Sequence, residues 1–123
     1  MTENIYFFDT YALFEIFRKN IKYLMYIDVN IVTAKINLFE LYYGLLKEFG
    51  EKTAQEKLHE YFGSTVDFDE EVIENAAKFK LKNKSRKLSM ADCIGYSIAN
   101  KLGIKFLTGD KEFEKLENVE FVK

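Results

Sequence analysis

The sequence predicts an α/β fold, a three-layer α/β/α sandwich around a short, mostly parallel central sheet. Two observations predict it. Short apolar, β-prone runs alternate with longer segments whose apolar residues recur at helical spacing. The helical segments are punctuated by capping residues at their starts and by Gly50, Gly63 and Gly103 at their ends. With 123 residues, 48% of them hydrophobic, the chain has material for one substantial core, so a single domain over residues 1–123 is expected.

Ile5 to Phe8 is short, apolar and β-prone, and reads as a buried first strand. Thr10 to Asn20 follows, with Leu13, Phe14 and Phe17 at helical spacing. Asn30 to Ala34 reads as a second strand, leading into a long helix from about Ile36 to Phe49 that Gly50 stops. A more polar helix runs from Glu51 to Phe62. Thr65 to Phe68 is expected as a third short strand. Asp69 then caps a helix through about Lys82, carrying Val72, Ile73, Ala76, Ala77 and Phe79. Ser89 opens a helix through Leu102, and Ile104 to Thr108 is the next strand. Asp110 starts a short helix, and Val119 to Val122 forms a last edge strand.

Composition excludes several classes. The net charge of −2 gives no global pull toward nucleic acid, so any such binding must come from a local patch. Cys93 is the lone cysteine, which excludes an internal disulfide and fits a reducing compartment. Met-Thr-Glu-Asn precedes the first apolar run without a basic region, so no signal peptide is expected. No window approaches the ~20 apolar residues a membrane helix needs. A soluble, cytoplasmic protein is the expectation.

Four carboxylates stand where charge is normally avoided. Asp9 ends the apolar run Ile5-Tyr6-Phe7-Phe8, and Glu40 is embedded in Leu38-Phe39-Glu40-Leu41-Tyr42-Tyr43. Asp92 interrupts Met90-Ala91-Asp92-Cys93-Ile94, and Asp110 follows Phe106-Leu107-Thr108-Gly109. Burying an ionised carboxylate costs several kcal/mol unless it is partnered. No equally embedded Lys or Arg accompanies them, which points to a metal ion. Ordinary explanations stand beside this one: Asp9 and Asp110 suit helix caps, and Ser89-Met90-Ala91-Asp92 resembles a capping box, although Glu or Gln is usual at its fourth place. Glu40 has no such alternative. It lies mid-helix, and Lys47 is beyond the three- or four-residue spacing that pairs side chains.

The run Lys78, Lys80, Lys82, Lys84, Arg86, Lys87 is the main local charge feature. Acids opening that helix and bases closing it suit the helix dipole. The run also continues past the expected helix end toward Asp92. A basic strip beside an acidic site is what a phosphodiesterase needs to neutralise substrate backbone. Lys82, Lys84, Arg86 and Lys87 are the candidates. His59 has no second His or Cys near it, so a zinc site is not expected. Cys93 reads as a small buried apolar residue, and Tyr42, Tyr43 and Tyr96 as core or rim.

These residues resemble the PIN-domain family, in particular its VapC-like toxins, over nearly the whole chain. Phe7-Phe8-Asp9-Thr10-Tyr11-Ala12-Leu13 resembles the family's first strand ending in Asp-Ser/Thr. Asn37-Leu38-Phe39-Glu40-Leu41-Tyr42-Tyr43-Gly44 resembles its helix with an embedded Glu before a Gly. Ala91-Asp92-Cys93-Ile94-Gly95 resembles its Ala-Asp helix, and Leu107-Thr108-Gly109-Asp110-Lys111-Glu112-Phe113 its Thr-x-Asp-x-x-Phe segment. Departures are Thr10 for the commoner Ser, and a loop from Asn83 to Leu88 without Gly or Pro.

The resemblance implies a PIN-like fold and an endoribonuclease using Mg²⁺ or Mn²⁺, hard ions that prefer oxygen ligands. It further implies Asp9 and Asp92 as principal ligands, Asp110 completing the site directly or through water, and Glu40 as ligand or orienter of the attacking water. Thr10 and Thr108 would hold carboxylates in place. RNA substrate, a small cognate antitoxin and a homodimer are the implied partners. Tyr23-Leu24-Met25-Tyr26 and the Tyr42-Tyr43 region are candidate dimer surfaces. The alternative is a PIN-like module that binds protein or RNA without catalysis, which retention of all four acids disfavours. A phosphoacceptor receiver domain would need an acid pair after the first strand, and a haloacid-dehalogenase phosphatase an Asp-x-Asp where Tyr11 stands.

Overall fold

The structure, a computed structural model, describes residues 4–123. The leader-free reading of the N-terminus rests partly on residues 1–3, which lie outside it.

Four strands, β1 (Ile5–Phe8), β2 (Asn30–Val32), β3 (Lys105–Thr108) and β4 (Val119–Phe121), form one sheet in the order β2-β1-β3-β4. Every pairing is parallel, with Phe7 opposite both Val32 and Phe106. Parallel strands need crossover connections, and helices supply them. These are α1 (Thr10–Phe17), α2 (Lys35–Phe49), α3 (Glu51–Phe62), α4 (Glu70–Lys82) and α5 (Met90–Leu102).

The strands are too short and apolar to leave a face exposed, and alternation along them divides the core in two. Phe7 and Phe106, with Val32 and Val119, pack against α4 and α5 through Val72, Ala76, Ile94, Ile98 and Ala99. Phe8 and Leu107, with Tyr6 and Ile31, pack against α1, α2 and α3 through Leu13, Leu38, Leu41, Leu45 and Ala54. This is the expected three-layer sandwich. Gly95 brings α5 close to the sheet, since a Cβ there would stand 2.7 Å from the Phe7 ring.

Three details differ from the sequence reading. Thr65 to Phe68 is not a strand: Thr65 makes one parallel bridge to Thr33, after which the chain leaves the sheet. Only Val66 of that stretch packs on the core, and Asp67 is exposed. α1 ends at Phe17 rather than Asn20, because Lys19 turns to φ 60° and Asn20 caps a 3-10 helix over Ile21–Tyr26. That 3-10 helix was not foreseen. Its Tyr23 hydroxyl donates to the Val122 carbonyl at 2.7 Å and its Tyr26 hydroxyl to the Glu120 carboxylate, tying it to β4. No helix among the described residues is long and apolar enough to cross a membrane.

The topology selects one place for a site. From β1 the chain crosses to β2 on one side and, later, to β3 on the other. The carboxyl ends of β1 and β3 therefore flank the switch point, where crevices open in parallel α/β sheets.

Candidate active site

Asp9 follows β1 directly and is 2% exposed. It is the N-cap of α1, with Oδ1 accepting from the Ala12 N–H at 2.8 Å. Asp110 lies two residues past β3, and its Oδ1 accepts from the Glu112 N–H at 3.0 Å to start a 3-10 turn over Lys111–Phe113. Asp92 sits in the first turn of α5, whose N-terminus faces the same edge because α5 runs back antiparallel to the strands. Glu40 lies in the second turn of α2, which starts from that edge after β2. The four acids thus come from four elements to one edge of the sheet.

In Asp92 the cap leaves one carboxylate oxygen over. The capping box is complete: Asp92 Oδ2 accepts from the Ser89 N–H at 2.8 Å, and the Asp92 N–H donates to Ser89 Oγ at 3.0 Å. Only one carboxylate oxygen is used for this. The second oxygens of Asp92, Asp110 and Glu40 have no hydrogen bond among the described residues.

Thr108 stands between Asp9 and Asp110, and Thr10 holds Glu40. The fully buried Thr108 accepts from the Asp110 N–H at 3.0 Å, and its hydroxyl lowers the pKa of Asp9 by hydrogen bonding. Thr10 Oγ1 donates to Glu40 Oε1 at 2.7 Å, and Asn37 Nδ2 donates to Thr10 Oγ1 at 3.2 Å. Asn37 was missed as a site residue. Its signal was available: a polar side chain between Ile36 and Leu38, three residues before Glu40 and so on the same helix face.

Electrostatics reflect the crowding. Desolvation, reinforced by the charges of Asp92 and Asp110, raises the Asp9 carboxyl to about 8, although Thr108 and the Ala12 N–H hold it down. Asp92 rises to about 6, again chiefly through desolvation, with Asp110 and Glu40 adding repulsion. None of the four acids has a salt bridge among the described residues, whose ion pairs all lie elsewhere. Three helix N-termini, those of α1, α2 and α5, present their partial positive charge to this edge and offset some of the repulsion.

Among the described residues no three His, Cys, Asp or Glu side chains are drawn into a ready-made metal cluster. Each acid is instead bonded separately, Asp9, Asp92 and Asp110 to a backbone N–H and Glu40 to the Thr10 hydroxyl. The donor set still fits a hard divalent cation. It consists of oxygens only, and a buried carboxylate with a raised pKa is relieved when a cation replaces its proton.

The loop after α4 carries the basic residues to this edge. Lys82, Lys84 and Lys87 are exposed. Arg86 is partly engaged: Nη1 donates to the Glu112 carbonyl at 2.8 Å and Nε to Asn83 Oδ1 at 3.3 Å, bracing the turn that Asp110 begins. Lys80 Nζ donates to the Leu88 carbonyl at 2.6 Å and holds the same loop. Of the candidate dimer surfaces, Tyr23 and Tyr26 are core, whereas Leu24, Met25 and Tyr43 are exposed.

A sequence model described as PIN domain matches residues 5–119. No curated protein matches the chain by sequence. Among solved structures, the chain is similar to the sarcin-ricin-loop-cleaving toxin VapC20 of Mycobacterium tuberculosis. The TM-score is 0.79 at 18% identity, covering 97% of this chain and 99% of that one. A toxin–antitoxin complex from Klebsiella pneumoniae superposes with TM-score 0.71 at 19% identity, over 94% of this chain and 95% of the other. DNA-bound VapBC from Salmonella typhimurium gives 0.70 at 18% identity, over 98% and 97%.

Proposed function

This chain belongs to the PIN domain family, and from that premise we propose that it is a divalent-metal-dependent endoribonuclease, the toxin of a type II toxin–antitoxin pair. One observation carries the reading: four carboxylates without a cationic partner among the described residues converge on the switch point of a parallel sheet, beside an exposed lysine strip. The toxins and toxin–antitoxin complexes among structures of this fold support the same reading.

In this reading Asp9, Asp92 and Asp110, with Glu40 as ligand or water orienter, hold Mg²⁺ or Mn²⁺. Such an ion, when bound, activates water and stabilises charge on phosphate oxygens. The chain's own groups do the rest. Thr108 and the first-turn N–H groups fix the aspartates, so that little reorganisation is left for the reaction. Glu40, held at Oε1 by Thr10, keeps Oε2 to accept a proton from the attacking water. Lys82, Lys84 and Lys87, with the N–H groups of Arg86 that bracing leaves over, neutralise the flanking RNA phosphates. An antitoxin and a second copy of the chain are its protein partners, with the exposed Leu24, Met25 and Tyr43 as surface for them to cover.

The test is RNA cleavage by protein stripped of metal and resupplied with Mg²⁺ or Mn²⁺. Cleavage is expected only with the ion, and Asp9→Asn or Asp92→Asn should lower it about a hundredfold or more. Full activity in excess EDTA, or in both variants, overturns the mechanism.

A further inference from the structure

We infer that Asn37 is a positioning residue that orients the Glu40 carboxylate through the Thr10 hydroxyl; this rests on the reading of Glu40 as part of the active site. Asn37 is the third residue of α2, a place where Asn ordinarily bonds to nearby backbone. Here its side chain reaches 27 residues back along the sequence to the first residue of α1, donating from Nδ2 to Thr10 Oγ1 at 3.2 Å. The next bond, 2.7 Å from Thr10 Oγ1 to Glu40 Oε1, returns to α2 one turn beyond Asn37.

Proton counting fixes the direction of this chain. A threonine hydroxyl has one proton, and an ionised glutamate only accepts. If the Thr10 proton goes to Glu40, the Thr10 oxygen must face a donor, and the amide nitrogen of Asn37 is that donor. Turning the amide over would set Asn37 Oδ1 against the Thr10 oxygen. The single proton would then be contested, and either Glu40 or Asn37 would lose its bond. The observed orientation settles the contest in favour of Glu40.

That orientation has a cost, and the cost is visible. Asn37 is 1% exposed, and its Oδ1 is the one buried side-chain nitrogen or oxygen among the described residues without a hydrogen-bond partner. Buried acceptors left unpaired are rare and destabilising. On the same helix Leu38 and Leu41 are buried in the apolar core, and a leucine of similar volume at position 37 would leave no orphan atom. A side chain kept only for packing would not be an amide. Its use is to keep the Thr10 hydroxyl from rotating, so that Glu40 holds Oε1 fixed and leaves Oε2 for the site.

The experiment combines Asn37→Leu, Thr10→Val and their double variant, read by thermal unfolding, steady-state RNA cleavage and side-chain amide NMR of the metal-free protein. Asn37→Leu should melt at or above the wild-type temperature while kcat falls about tenfold and KM stays within about twofold. The double variant should be no slower than Thr10→Val alone, because both break one chain. The Asn37 Nδ2 resonance should shift on Glu40→Gln, although Asn37 makes no hydrogen bond to Glu40 itself, and adding Thr10→Val should abolish that response. A lowered melting temperature with unchanged kcat, losses that multiply, or an Asn37 resonance indifferent to Glu40→Gln would each overturn the inference. If Asn37→Leu does not fold, Asn37→Ala takes its place in the same cycle. If no RNA is cut under any ion, the NMR response still decides the relay, and the nuclease reading is what fails.

Discussion

The Asp9 carboxyl is buried, holds the first turn of α1 through the Ala12 N–H, and faces Asp92 and Asp110 with no cation against it among the described residues. Its pKa moves from 3.8 when unfolded to about 8 when folded, and Asp92 moves from 3.8 to about 6. Between those values the folded chain holds protons that the unfolded chain has released. Stability from these groups is therefore full below the unfolded pKa and is lost as pH rises through the folded ones. Metal-free protein should lose melting temperature steadily from about pH 4 to about pH 8. Asp9→Asn keeps an acceptor for the Ala12 N–H but never ionises, so it should flatten that fall and exceed wild type by about 1–3 kcal/mol at the upper end. Mg²⁺ should reverse the order, since wild type then gains binding free energy that the variant forgoes. Chemical denaturation across pH, in EDTA and in Mg²⁺, checks this. A variant less stable than wild type in EDTA at about pH 8 would show that Asp9 is not a strained carboxylate.

At the scale of elements, what fixes the site is how closely α1 approaches α2. Thr10 and Glu40 face one another across these helices, and one turn along each stand Phe14 and Gly44. A Cβ on Gly44 would lie 2.4 Å from Phe14 Cζ, so an alanine there must push the helices apart or tilt the ring. Gly44→Ala should cost about 1–3 kcal/mol by overpacking, despite alanine's higher helix propensity. It should also slow RNA cleavage by stretching the Thr10–Glu40 bond, and Phe14→Leu in the same chain should restore part of both. Urea melts and initial rates measure the two effects; an undisturbed stability would mean the helices are not held by this contact.

This also marks what a linear sequence conveys. Periodicity and caps gave α2 to α5 nearly to their bounds, because those signals are local, as at Ser89, Asp69 and Gly50. The acids were legible because charge inside an apolar run is conspicuous. The Phe14–Gly44 contact, the reach of Asn37 to Thr10 and the bracing of Glu112 by Arg86 join residues about thirty apart, and nothing in either segment alone announces the other. The strand expected at Thr65 failed for a related reason. Its β-prone residues were real, but the edge of β2 extends only to Thr33, which leaves one bridge to make.

For the whole molecule, charge placement decides how a polyanion can approach. A net charge of −2, with four carboxylates gathered at one edge, repels RNA there unless cations are close by. On the proposed reading the exposed Lys82 at the end of α4, with Lys84 and Lys87 in the loop after it, are those cations, in the segment that leads to Asp92. Replacing Lys82, Lys84 and Lys87 together by alanine removes about three phosphate contacts at roughly 0.7 units of salt slope each. The dependence of log affinity on log salt for single-stranded RNA should therefore flatten by about 2 units. Arg86 stays in place in this variant, because its guanidinium holds the Asp110 turn and its loss would mix binding with distortion. Lys52, exposed on α3 and outside the strip, is the control, and Lys52→Ala should leave the slope unchanged. On the proposed reading the lysines bring the backbone in and the carboxylates do the chemistry, so cleavage at saturating RNA should persist in the triple variant. Fluorescence anisotropy over a salt series, in the metal-free protein so that nothing is cut, measures the slope. Equal slopes for the triple variant and wild type would show that RNA approaches this edge by some other path.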